Sequence, residues 1–201
     1  VPETITDPHL LAAIRQELLA RTPPSRVPHV MGVEGMAVVL ARRWRVEIER
    51  TLLAALLHDL AKALPAQEQR ARLAACTVVP VTAEDRECAP VWHGLLAAQE
   101  AHDVYGVTDR DVLEAVAWHS TGAPDLADVG LVLYVADFLE PSRNWPGAPE
   151  HRRRLQDLPL TAAALEVARH KLQNLKTKGR VAHPRTRAMR RWLESRLEKG
   201  G

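Results

Sequence analysis

The amino-acid sequence predicts an all-α protein, on three observations. Apolar residues recur at intervals of three and four along most of the chain. The segments so marked are separated by short, proline-bearing loops, and the alternation expected of half-buried strands occurs nowhere. With 201 residues, 46% apolar and 26% charged, the chain is long enough to bury one core and too apolar for whole-chain disorder.

Taken in order, Asp7-Pro8 reads as an N-cap followed by proline in the first helical turn. It opens a helix to about Arg21 whose Leu10, Leu11, Ile14, Leu18 and Leu19 share a face, and Thr22-Pro23-Pro24-Ser25 breaks it. A second helix follows Pro28 and runs to about Trp44. A third, from about Glu47 to Ala63, is apolar nearly all round between Leu52 and Leu57, the mark of a buried central helix, and Pro65 ends it. Residues 66–75 form a short helix. The stretch 76–81 is β-branched but short and interrupted by Pro80, so it reads as a loop. Further helices are predicted at 90–105, 109–119 with Asp109 as N-cap, 130–140, 161–177 and 184–198. Residues 144–149 are the most loop-like stretch. No internal repeat or low-complexity linker divides the chain. Residues 1–25 are expected to pack as an N-terminal helix on a core of 26–145, with 146–201 as C-terminal helices of the same domain.

The charge balance, 27 Lys+Arg against 25 Asp+Glu, leaves a net +2 and no strong field for nucleic acid or an anionic membrane. No apolar run approaches the ~20 residues of a membrane span. Two cysteines, Cys76 and Cys88, are too few for a disulfide framework or a four-thiolate zinc site and read as small apolar residues or free thiols. The start of the sequence lacks the pattern of a secretory leader, so a reduced, cytoplasmic protein is expected.

Polar residues in apolar surroundings carry the functional signal. His58 and Asp59 directly follow the leucine run, with Lys62 at helical spacing from both. Alone, this allows a plain alternative, in which Asp59 pairs with Lys62 and His58 caps the helix end. The anomaly recurs, however. His29 opens a helix with an apolar face, Asp137 interrupts Leu131-Val132-Leu133-Tyr134-Val135-Ala136, and His93 and His119 lie beside Trp92 and Trp118. Several such histidines with two buried aspartates point to a metal centre, and imidazole with carboxylate suits iron, manganese, zinc or cobalt.

The motifs Arg26-Val27-Pro28-His29, Leu56-Leu57-His58-Asp59-Leu60-Ala61-Lys62, Trp92-His93-Gly94, Trp118-His119-Ser120-Thr121-Gly122 and Val135-Ala136-Asp137-Phe138-Leu139-Glu140-Pro141-Ser142-Arg143 occur in that order. The H…HD…D pattern within them resembles the HD-domain metal-dependent phosphohydrolases. The wider set resembles the bacterial symmetrical bis(5'-nucleosyl)-tetraphosphatases of the YqeK type, across roughly residues 26–183. The segment 76–89 has no counterpart in that pattern.

The resemblance implies an HD-domain helical bundle in which His29, His58, Asp59 and Asp137 ligate a divalent transition metal, with iron the implied ion. It implies symmetrical hydrolysis of diadenosine tetraphosphate to two ADP by a metal-activated water. Asp59 and Lys62 are the catalytic candidates. Arg26, Lys62, Arg143, His93 and His119 are candidates to meet phosphate oxygens, and Phe138 to stack on a base. Lys178, Arg180 and His183 are weaker nucleotide-contact candidates in a basic tail that equally suits a solvated face. A nucleotidase, an alarmone hydrolase or a cyclic-nucleotide phosphodiesterase would use the same HD chemistry, and a silent nucleotide-binding helical module is the alternative outside enzymes. The partners implied are a dinucleoside polyphosphate or nucleotide and, as a further candidate, a second copy of the chain. Arg42, Arg43 and Arg45, and Arg152, Arg153 and Arg154, read as solvated faces. Trp44, Trp145 and Trp192 read as packing anchors, and His9, His102, His151 and His170 as surface residues.

Overall fold

A computed structural model describes residues 8–199, which fold into eleven α-helices with no strand among the described residues. The fold class read from the sequence holds. Helix α1 (Pro8–Arg21) leads through a 3-10 turn (Pro24–Arg26) into α2 (Val27–Trp44) and α3 (Ile48–Leu57). Then come α4 (Ala66–Arg72), α5 (Ala83–Arg86), α6 (Ala89–Tyr105), α7 (Arg110–Trp118) and α8 (Asp128–Leu139). The chain closes with α9 (Ala148–Gln156), α10 (Leu160–Thr177) and α11 (Pro184–Lys199). The N-cap expected at Asp7 lies outside the described residues.

Helices α3 and α8 form the middle of the bundle, since both are apolar on nearly every face and so need neighbours on every side. Helix α8 packs against α2, α7 and α10, and α3 against α1, α2, α7 and α8. Leu53, Leu56, Leu57, Leu131 and Leu133 are sealed from solvent, each burial stabilising the fold by about 1.5–3 kcal/mol. Helix α1 is tied to α2 by Arg15 Nε donating to Glu34 Oε1 at 2.9 Å. Asp109 caps α7 as read, its side chain accepting from the N–H groups of Asp111 and Val112. No helix of the described residues is long and apolar enough to cross a membrane.

Three departures from the sequence reading bear on function. Helix α3 ends at Leu57 rather than Ala63, and His58 to Ala63 continue as successive turns closed by bonds such as Lys62 N–H to the Asp59 carbonyl at 3.0 Å. His58, Asp59 and Lys62 thus leave the backbone from tight turns instead of one straight helical face. The loop expected over 144–149 contains the start of α9, because Pro149 sits in its first turn, where a missing N–H costs nothing. The four-residue α5 was not read, although Thr82 and Asp85 close a reciprocal capping box there.

Candidate metal centre

Five elements bring the polar residues together. His29 lies in the first turn of α2, His58 and Asp59 at the end of α3, His93 in α6, His119 just after α7, and Asp137 in α8. His29, His58, Asp59, His93 and His119 are buried, and Asp137 is nearly so. One close approach makes the arrangement possible. A side chain on Gly94 would put a carbon 2.6 Å from the Ala117 carbonyl oxygen, so only glycine lets α6 come this near the end of α7 and set His93 against His119.

The donors form two groups. His29, His58 and Asp137 each offer an atom within 4.8 Å of the other two, and Asp59, His93 and His119 do the same. Asp59 stands between them. Its Oδ2 lies 3.5 Å from His29 Nε2 and 3.6 Å from His58 Nε2, while its Oδ1 lies 3.3 Å from His93 Nε2 and 4.0 Å from His119 Nε2.

The ring nitrogens are sorted by their outer partners. His58 Nδ1 lies 2.6 Å from the Ala55 carbonyl and His119 Nδ1 2.7 Å from the Val116 carbonyl, so each donates there and leaves the Nε2 lone pair facing inward. His29 Nδ1 lies 3.0 Å from Glu140 Oε1, which leaves its Nε2 free toward Asp59 and Asp137. Anchoring of the outer nitrogen in this way is how metal-binding histidines are oriented. His58 Nε2 is sealed from solvent without a hydrogen-bond partner among the described residues. A buried acceptor left open costs stability, so this atom is one an ion would satisfy. The donor set fits a divalent metal.

Charge follows the same layout. Burial works to raise the Asp59 carboxyl, but His58, His29, His119 and His93 together hold it far below the usual carboxylate range. Burial likewise opposes ionisation of Asp137, and Lys171 and Arg143 override it, so that this carboxyl too is strongly depressed. Burial and the neighbouring His58 push the His119 imidazole down to about 4, and burial with His119 lowers His93, so both stay neutral and able to ligate. The His29 imidazole is raised: Asp59, Asp137 and Glu140 outweigh its burial.

The predicted phosphate-binding cations surround this cluster. Arg26 pairs with Asp59. Lys62 Nζ lies 3.3 Å from both ring nitrogens of His93, so the Asp59–Lys62 pair allowed by the sequence is replaced by Arg26 on Asp59 and Lys62 on His93. Arg143 Nη2 donates to Asp137 Oδ1 at 2.7 Å and its Nε to the Asp137 carbonyl at 3.1 Å, which clamps that carboxylate while leaving part of the guanidinium exposed. Phe138 is buried against Trp145 and His170, with ring centroids 5.2 and 4.9 Å away, and borders the same cavity as Asp137. Lys178 borders a cavity next to Asp137, whereas Arg180 and His183 border a second cavity near Ser120. His183 also faces Asp85, at 3.2 Å.

Sequence reasoning missed several contributors. Glu140 is sealed in the interior, orients His29 and accepts from Ser142 N–H at 2.6 Å and Ser142 Oγ–H at 2.7 Å. Its place depends on Gly32, where any side chain would meet Glu140 Oε2 at 2.5 Å. Lys171 lies with its Nζ 3.9 Å over the Tyr134 ring, donating to the Ser120 carbonyl at 3.2 Å. Burial pushes this ammonium down to about 8 although Asp137 pulls the other way. Arg152, read as solvated, instead donates to the carbonyls of Leu139 at 2.6 Å and Glu140 at 3.0 Å, meeting the open end of α8. His170 and His151, read as surface residues, are partly buried in the aromatic cluster with Trp145.

Residues 26–142 match the HD domain, a span that takes in every one of these donors. The chain belongs to the HD-domain family. Within that family it is 31% identical over 185 residues to the symmetrical bis(5'-nucleosyl)-tetraphosphatase of Bacillus subtilis, covering 92% of this chain and 96% of the relative. It is 28% identical over 131 residues to the protein of the same name from Halalkalibacterium halodurans, covering 63% and 67%. Among solved structures it resembles a predicted HD superfamily hydrolase involved in NAD metabolism from Clostridium acetobutylicum, with a TM-score of 0.84 at 31% identity, over 92% of this chain and 97% of that one. The protein is thus an HD-domain phosphohydrolase with a histidine–aspartate cluster suited to a divalent metal.

Proposed function

We propose that this HD-domain hydrolase acts on dinucleoside polyphosphates and cuts diadenosine tetraphosphate at its centre, giving two ADP, with iron as the resident ion. The observation that carries the reading is the pair of donor triads, with Asp59 of one turned also toward His29 and His58 of the other, ringed by partly exposed cations. The identity with tetraphosphatases over nearly the whole chain supports it.

In this reading His29, His58, Asp59 and Asp137 hold the ion, and Asp59, His93 and His119 offer room for a second. When bound, such ions supply Lewis acidity toward phosphoryl oxygen and an activated water at neutral pH. The chain's own residues do the rest. Asp59, with one oxygen turned toward His29 and His58 and the other toward His93, orients the attacking water or takes its proton. Lys62, beside His93, and Arg26, beside Asp59, face the charge that develops as the anhydride breaks. Arg143 holds Asp137 in place and turns its remaining donors to phosphate. Water oxygen bonds to a β-phosphorus, the bond from that phosphorus to the bridging oxygen breaks, and a nucleoside diphosphate leaves with the electron pair. A cytoplasmic location belongs to the same reading.

Elemental analysis of protein purified without chelator, joined to chromatography of the products from diadenosine tetraphosphate, tests it. Bound iron with ADP as sole product supports the proposal. AMP with ATP would overturn the central cut, and a chain that takes up no transition metal and turns over nothing with added iron or manganese would point to a silent binding module.

A further inference from the structure

Two cavities lie between the donor cluster and the C-terminal helices, and they meet at Lys171 and Asn174 of α10. The first, about 570 Å³, reaches Asp137 and Arg143 at its inner end. Its outer wall is aromatic: the rings of Trp145 and His170 lie 4.8 Å apart, with Phe138 packed behind both. The second, about 310 Å³, ends at Ser120, whose Oγ is 3.1 Å from His119 Nε2 and 3.5 Å from His93 Nε2. Val91, Leu175 and Val181 give it apolar walls and Arg180 a cation. One cavity therefore reaches Asp137 itself, and the other stops at Ser120, the residue whose hydroxyl touches His119 and His93. The Lys171 ammonium sits on the ridge dividing them, held by the Tyr134 ring and the Ser120 carbonyl.

We propose that these cavities are the two nucleoside subsites of a single bis-nucleoside polyphosphate, with a base stacked on Trp145 and His170 in the larger one and the phosphate chain crossing Lys171. Both volumes suit small-molecule ligands, which bind in pockets of ~300–1,000 Å³. Aromatic faces stack any base, and a cation on the ridge between two anchoring pockets meets the most highly charged part of such a ligand. Anchoring at both ends holds the middle of the phosphate chain beside Asp137 and Arg143 at the edge of the donor cluster, so the position of the cut follows from where the two nucleosides rest. The proposal rests on the phosphohydrolase reading above and adds a structural reason for a central cut.

Calorimetric titration of the metal-loaded protein with ADP, the expected product, tests it apart from turnover. Two ADP per chain are expected. Trp145→Ala should weaken one site about tenfold or more, the worth of a base–aromatic stack, and leave the other. Leu175→Trp, which fills the second cavity only, should abolish the second site and leave the first. ADP should also quench indole fluorescence in the unaltered protein, and Trp145→Phe should remove that quench while still binding two ADP, a readout that a fold defect would not produce. A single ADP per chain, no binding, or a stoichiometry indifferent to both substitutions would overturn the proposal. Failure of diadenosine tetraphosphate hydrolysis with two ADP still bound would instead strike the catalytic reading alone.

Discussion

The donor cluster and the C-terminal wall beside it are built on opposite terms. In the cluster, charged and imidazole groups sit where an apolar core should be, each with an outer hydrogen bond that fixes it. In the wall, Lys171, Trp145, His170 and Asn174 are ordinary residues of a half-exposed helix and loop, and only packing gives them a common purpose. The cluster is defined by residue chemistry, the wall by shape. Substitutions in the first should therefore act all or none, and substitutions in the second by degrees.

The largest effect is expected for Asp59→Ala. It removes the carboxylate that faces the histidines of both triads, so turnover should drop to background while the protein stays folded, because Arg26 is exposed enough to rehydrate. Activity assay beside circular dichroism checks both halves, and retained activity would break the comparison at its centre. Chelation should reproduce the loss reversibly. Metal at a hundredfold excess over its dissociation constant stabilises by about 2.7 kcal/mol, which for a chain of this size raises Tm by roughly 5–10 °C. A thermal scan with and without chelator reads that difference.

Glu140→Gln should fall in between. The His29 ring keeps a neighbour but loses its anionic acceptor, and metal affinity should weaken by about 10–100-fold, measured by competition with a chromogenic chelator. In the wall, Lys171→Met should raise KM by about tenfold and change kcat little, the pattern of a lost charge-assisted contact made equally before and during reaction. A fall in kcat with unchanged KM would move Lys171 from the wall into the catalytic cluster.

The smallest effect on turnover is expected for Asp85→Asn, whose carboxylate pairs with Arg185 and takes no part in either donor triad. Burial works to raise the Asp85 carboxyl, but its twin bonds with Arg185, at 2.5 and 2.8 Å, and the N–H of Thr82 hold it below its ordinary value. A carboxyl depressed in the folded state stabilises above its unfolded pKa, near ~3.9, and the benefit is lost as pH falls through the folded value. The unaltered protein should exceed Asp85→Asn by about 1.5–3 kcal/mol at pH 7, and the gap should close in acid. Urea unfolding at a series of pH values measures it.

The same division explains what could be read from sequence. His58-Asp59 after a leucine run, and Asp137 within one, are conspicuous because burying an unpaired charge is costly, so each demands a reason. Glu140 escaped because an acidic residue before proline at a helix end ordinarily faces water. Lys171 escaped because Arg169-His170-Lys171 looks like a solvated face, and nothing local announces that Tyr134 and Asp137 of α8 pass beneath it. Arg152 escaped in the same way, since its partners are backbone carbonyls, which leave no trace in residue identity. Helix interiors were legible where apolar spacing repeats along them, and the short, polar α5 and α9 were not read at all. The end of α3 was not legible either, since a few turn bonds decided it.

The Asp85–Arg185 pair joins positions 100 residues apart. Closing so long a loop is entropically slow compared with pairing neighbouring helices, and every donor of the cluster precedes residue 140 in the chain. During synthesis the donor residues leave the ribosome first, and the Asp85–Arg185 pair can close only when the final helix has emerged.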